Sequence, residues 1–136
     1  LSLWLDKQDQ DSTPFTPPVN ALLALDKALE ELRDHGGWQA RHARYTKLAG
    51  RVRRALAARG VETLLPGGAS SCVLVAYQIP EGSTYAAIHD RLKQWGFVIY
   101  AGQGSLAAQL FRISTMGDIT DYDMERLLAA IESVFQ

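Results

Sequence analysis

The sequence predicts an α+β (α/β) fold, a small and mainly antiparallel sheet of about three or four strands with helices packed on one face. Three observations predict it. Two stretches of helical apolar spacing precede any substantial strand, the strands that follow are short and interrupted by a helix and a loop, and the chain finishes on an amphipathic helix with its own start signal.

A polar stretch over 6–12 leads to Thr13-Pro14-Phe15-Thr16-Pro17-Pro18, and Val19, Leu22, Leu23, Leu25, Leu29 and Leu32 then repeat at helical spacing until Gly36-Gly37 stops them. A second helix is expected over about 38–59, with Tyr45, Leu48, Val52, Ala55 and Leu56 inward and Gly60 as its stop. Residues 61–65 read as a short edge strand, and Pro66-Gly67-Gly68 as a turn. The β-branched and aromatic content of 72–79 reads as a buried strand that Pro80-Glu81-Gly82 ends. Tyr85, Ile88, Leu92 and Trp95 predict a helix over 84–95, followed by Gly96, a strand over 97–100, a loop over 101–108 and a strand over 110–114. Thr120, three residues before Asp123, opens the last helix in the manner of a capping box, and Met124, Leu127, Leu128, Ile131 and Phe135 share its buried face.

With 136 residues, 47% of them hydrophobic, the chain can bury one core but is short for a complete metabolic enzyme. A formal net charge of −1 provides no field that would draw it to nucleic acid or an anionic membrane. Cys72 lies in the apolar run Ser71-Cys72-Val73-Leu74-Val75 without a disulfide partner, and reads as a small packed hydrophobe. No run approaches the ~18–20 apolar residues of a membrane span, and no signal-peptide pattern opens the chain, so a soluble, cytoplasmic setting is expected. The opening Leu1-Ser2-Leu3-Trp4-Leu5-Asp6 begins inside an apolar pattern without a methionine and reads as a chain whose front is absent.

Two places carry chemistry suited to anions. Thr16, just before Pro17-Pro18, reads as the N-cap of a proline-led helix, and a hydroxyl at such a positive end suits a phosphate, with Thr13 as a second hydroxyl nearby. A plain capped helix start is the alternative. Arg112 is a permanent charge in the apolar strand Leu110-Phe111-Arg112-Ile113. Alternation puts it on the face opposite Phe111 and Ile113, where its fork could hold a carboxylate or phosphonate or simply meet solvent.

The other motifs are weaker. Arg41, Arg44, Lys47, Arg51, Arg53, Arg54 and Arg59 fall in a stretch without an acid, but they spread around the helix with no aromatic stacking set and read as a solvated or interdomain face rather than a nucleic-acid patch. His35, His42 and His89 have no companion ligand at metal spacing, so no metal site is expected. Ser70-Ser71, Ser105, Gly67-Gly68 and Gly102-Gln103-Gly104 fit no nucleophile elbow or nucleotide loop and read as turns.

Taken together, Ser2-Leu3-Trp4-Leu5-Asp6, Phe15-Thr16-Pro17-Pro18-Val19, Arg41-His42-Ala43-Arg44-Tyr45, Gly96-Phe97-Val98-Ile99-Tyr100 and Phe111-Arg112-Ile113 resemble the C-terminal part of the 2-aminoethylphosphonate:pyruvate transaminase family, within the class V aminotransferases. The resemblance covers essentially the whole chain. It implies a pyridoxal 5'-phosphate enzyme of fold type I, a homodimer with sites at the subunit interface, and a small C-terminal domain over the cofactor cleft. It places a hydroxyl contact to the cofactor phosphate on Thr16, with a less direct match at Thr13, and the grip on the substrate's acidic group on Arg112. On this basis residues 1–18 are a connecting segment from a large domain and 19–136 the small domain.

Two departures lie beside Arg112: Ile113 is followed by Ser114-Thr115-Met116-Gly117 where the family continues Arg-Ile-Gly, and Tyr100-Ala101-Gly102-Gln103 stands for Tyr-Pro-Gly-Lys. They leave the amino donor open between 2-aminoethylphosphonate and the alanine or serine used by glyoxylate enzymes. A transaminase also needs a cofactor-bearing lysine and an acidic partner for the pyridine nitrogen. Lys7, Lys27, Lys47 and Lys93 lie in no matching motif, so no catalytic residue is assigned and the isolated chain is expected to be inactive. The expected partners are 2-aminoethylphosphonate, pyruvate and a second subunit, with no nucleic acid and no membrane. A free-standing α+β dimerisation or binding module is the reading from another class.

Overall fold

In the computed structural model, which describes residues 2–136, the chain forms two compact units, one ending at Arg41 and the other spanning His42–Gln136. The first opens on a short helix, α1 (Ser2–Gln8), which the apolar spacing alone does not announce. Its end is closed by the Ser12 amide, which donates to the Lys7 carbonyl at 2.9 Å, and the Trp4 and Phe15 rings meet edge to face at 6.2 Å. Helix α2 (Val19–Asp34) follows as the leucine spacing predicts and buries none of its side chains.

The start of α2 corrects one expectation. Its N-cap is Pro18, at φ −76° and ψ 69°, and no side chain caps it. Thr16 therefore stands outside the helix. A residue that precedes proline is pushed out of the α region by the proline Cδ. In Thr16-Pro17-Pro18 this acts twice, on Thr16 and on Pro17, so the helix cannot begin before Pro18, which serves as its N-cap.

Helix α3 (Gly37–Ala57) ends as its glycine predicts. Gly60 adopts φ 73°, which lets its amide reach Ala57 and the Val61 amide reach Leu56, both at 3.0 Å, in the pattern of a Schellman cap. Strand β1 (Leu74–Gln78), helix α4 (Tyr85–Gln94), strand β2 (Tyr100–Ala101), strand β3 (Leu110–Ser114) and helix α5 (Asp121–Val134) complete the chain. The sheet order is β1-β3-β2 and every pairing is antiparallel.

Two strand expectations shrink. The edge strand over 61–65 is a single bridge between Thr63 and Tyr77. The strand over 97–100 is displaced to Tyr100–Ala101, because the Phe97 amide closes the end of α4 on Leu92 and the Ile99 carbonyl accepts from the Tyr85 hydroxyl at 2.9 Å. Those groups are taken before the sheet can use them.

One sheet face makes the core. Val75, Tyr77, Phe111 and Ile113 pair across β1 and β3 and pack with Leu48, Val52 and Leu56 of α3, Ile88 and Leu92 of α4, and Met124, Leu127 and Ile131 of α5. Burying side chains of this size is worth about 1.5–3 kcal/mol each before chain entropy is charged against it. Thr120 and Asp123 form the expected capping box at the start of α5. The hydroxyl and amide of Thr120 hold the Asp123 carboxyl below its usual range.

Among the described residues, three of the seven basic side chains over 41–59 pair with acids: Arg44 and Arg51 of α3, and Arg59 just beyond it. Arg44 reaches Asp118 at 3.2 Å, Arg51 reaches Asp121 at 3.2 Å and also Glu125, and Arg59 reaches Glu132 at 2.6 Å. Three arginines that read from sequence as a solvated or interdomain face instead form a ladder to α5 and the loop before it.

Candidate functional site

Arg112 occupies the centre of β3, and the register sets its neighbours. It is opposite Ala76 on β1 and Tyr100 on β2, so Ala76, Arg112 and Tyr100 form one row across the face away from Phe111 and Ile113. The side chain is half-buried and leans toward the edge strand, where Nε donates to the Ala101 carbonyl at 2.8 Å. Among the described residues no carboxylate pairs with it. A guanidinium anchored through Nε presents its two terminal nitrogens, an end-on fork suited to a two-oxygen acid group.

The loop after β2 supports this anchor. The Gly102 amide donates to the Leu110 carbonyl at 2.7 Å, and a Cβ at position 102 would collide with the Leu106 carbonyl. The fold-back buries Leu110, although alternation alone puts Leu110 on the same open face as Arg112. Tyr100 is 66% exposed beside the guanidinium. The sequence marks Tyr100-Ala101 only as part of a stretch that departs from the family near Arg112, and the β2–β3 register adds that Tyr100 pairs with Arg112 while Ala101 anchors its Nε.

Thr13 and Thr16 belong to the first unit and Arg112 to the second. The Thr13 hydroxyl donates to the Phe15 carbonyl at 2.7 Å, so its proton is used inside the turn. Thr16 is exposed and makes no capping bond to α2. Pro17 and Pro18 carry no amide proton, and the Val19 amide is taken by the Pro17 carbonyl at 2.8 Å. A phosphate there would depend on the Thr16 hydroxyl more than on the helix end.

Several other polar residues make contacts within their own helix or between neighbouring elements. His35 Nδ1 lies 2.6 Å from the Glu31 carbonyl at the end of α2, and His89 pairs with Asp90 at 2.9 Å. Cys72 is half-buried and unpaired just before β1. Arg91 clamps the Val134 carbonyl at 2.7 Å at the end of α5.

No protein-family model matches the chain. Over 121 residues it is 37% identical to a 2-aminoethylphosphonate–pyruvate transaminase of Klebsiella pneumoniae, covering 88% of this chain and 33% of that protein. A Vibrio cholerae protein of the same name is 38% identical over 120 residues, covering 87% of this chain and 32% of its own length. By sequence the chain is similar to proteins named 2-aminoethylphosphonate–pyruvate transaminase. It spans about a third of the length of these curated relatives.

The expected α+β fold with a small antiparallel sheet is the observed one, and solved structures of aminotransferases share it. A pyridoxamine-pyruvate aminotransferase from Mesorhizobium loti superposes with a TM-score of 0.74 at 26% identity, over 89% of this chain and 31% of that one. An alanine–glyoxylate aminotransferase from Nostoc gives 0.74 at 24% identity, over 90% of this chain and 33% of its own. Among the described residues no helix is long and apolar enough to cross a membrane.

Proposed function

We propose that the chain is the C-terminal part of a pyridoxal 5'-phosphate-dependent transaminase that moves the amino group of 2-aminoethylphosphonate to pyruvate, giving phosphonoacetaldehyde and L-alanine. The observation that carries this reading is Arg112, held by Ala101 on an open sheet face without a carboxylate of its own unit. The names of the relatives supply the substrate class, and an anchored arginine fork is the chemistry that such substrates need.

Arg112 binds the acidic end of each substrate in turn, the phosphonate of the amino donor and the carboxylate of pyruvate, and so orients the reacting end away from the sheet. Thr16 offers its hydroxyl to the cofactor phosphate. Its unengaged side chain fits that role better than Thr13, whose proton is spent on Phe15. Pyridoxal phosphate, when bound, supplies the electron sink for the amino transfer. Neither the cofactor-bearing lysine nor the acid at the pyridine nitrogen is assigned to this chain, so activity belongs to the full-length homodimer and the 136-residue chain is inactive alone.

In the full-length enzyme, Arg112→Ala raises KM for both substrates and lowers kcat/KM by about 100-fold, the scale of losing charge-assisted hydrogen bonds. Unchanged kinetics would remove Arg112 from the substrate site. The changed residues Ser114-Thr115-Met116 after Ile113 keep alanine or serine as alternative donors, and a panel of amino donors decides between them.

A further inference from the structure

We propose that Tyr100 is a second, specificity-determining contact of the same site, donating its phenolic hydrogen to the one oxygen of a tetrahedral phosphonate that the Arg112 fork leaves uncovered. The inference rests on the reading of Arg112 given above and names what that residue cannot do alone.

The argument begins with the hydrogen bond to Ala101. An arginine can present an acid group with either a side-on pair, Nε with one terminal nitrogen, or an end-on pair, the two terminal nitrogens. Nε is committed to the Ala101 carbonyl at 2.8 Å, so only the end-on pair remains. That pair is planar and spans two oxygens. A carboxylate has two oxygens and is fully served. A phosphonate has three at the corners of a tetrahedron, so one must project out of the guanidinium plane and needs another donor.

The register restricts where that donor stands. The residues that flank Arg112 in its row are Ala76 and Tyr100, and the residue that anchors its Nε is Ala101. Alanine side chains have no donor. Tyr100 has one, shares the face and is 66% exposed; Ser114 and Gln78 also carry donors on this face, but they stand further along the strands rather than in the row of Arg112. Ala76, on the opposite side, leaves the row low there. The site is thus asymmetric: the donor lies on the β2 side, toward which the guanidinium already leans.

The test uses the full-length enzyme and measures the two half-reactions separately, one with 2-aminoethylphosphonate and one with pyruvate. Tyr100→Phe keeps the ring and removes only the donor. The expected result is a fall of about tenfold in kcat/KM for the phosphonate, carried by KM, with the pyruvate half-reaction changed by less than about twofold. Equal losses in both half-reactions would mark Tyr100 as merely structural, and no loss in either would mark it as a bystander; both overturn the proposal. Arg112→Ala runs beside it. If that variant is as active as the parent, the assignment of Arg112 fails; if it is crippled while Tyr100→Phe is indifferent, only the role of Tyr100 fails. Thermal melting of Tyr100→Phe at the parent's Tm excludes a folding defect as the cause.

Discussion

Tyr77 and Phe111, partners across β1 and β3, stack with ring centroids 5.5 Å apart at the middle of the core. Phe111 stacks in turn on Phe135 at 5.9 Å, so the sheet and the end of the chain share one aromatic column. The column places a phenol where water hardly reaches, with Tyr77 only 1% exposed.

That burial has a consequence at alkaline pH. Burial pushes the Tyr77 phenol from 10.0 up to about 12, against a smaller opposing pull from the charge of Arg53. The folded state therefore holds its proton where the unfolded state releases it. The contribution to stability is fully present below pH 10 and is lost as pH rises through about 12. Ultraviolet titration should find a tyrosine that ionises near the upper value, and denaturant melts of Tyr77→Phe should show a shallower loss of stability above pH 10 than the parent. Equal slopes would mean that Tyr77 ionises as an exposed tyrosine does.

Arg51 is the central rung of the α3–α5 ladder, with two carboxylates, Asp121 and Glu125, on one guanidinium whose side chain is 17% exposed. Arg51→Met preserves most of the stem and removes the charge. Urea unfolding should show a loss of about 1 kcal/mol at low salt, near the upper end for partly exposed pairs, and the gap to the parent should narrow as salt is added. A gap that does not respond to salt would point to packing of the stem rather than to the ion pairs.

Gly102 sits where the backbone returns over Leu110, and the Leu106 carbonyl occupies the space of any side chain there. Gly102→Ala should cost roughly 1–3 kcal/mol, as overpacking does. Because Ala101 is the adjacent residue and anchors Arg112, the same variant in the full-length enzyme should weaken binding of both acidic substrates together, in contrast to Tyr100→Phe. Melting temperature and steady-state kinetics measure the two effects. A stable variant with normal KM values would show that the loop accommodates the methyl group without moving the anchor.

Some of this structure was legible in the residues. The capping box of Thr120 and Asp123, the stop at Gly60 and the inward face of α5 follow from contacts within one or two helical turns, which the sequence states directly. The place of Arg112 opposite Phe111 and Ile113 follows from strand alternation alone. The difference at Thr16 is also local: a hydroxyl before a proline predicts an N-cap, but the second proline shifts the helix start beyond it.

By itself the sequence determined helices α2 to α5, the strands around 74–78 and 110–114, how those helices end and which face of β3 bears the charge, since these depend on steric and hydrogen-bonding rules that act over a few residues. Only the tertiary structure decided that Tyr100 pairs directly with Arg112, that Ala101 takes its Nε, and that Arg44, Arg51 and Arg59 meet acids 70 or more residues further along the chain. Register and ion pairing are settled by packing between distant segments, where many alternatives are locally equivalent until one shared core selects among them.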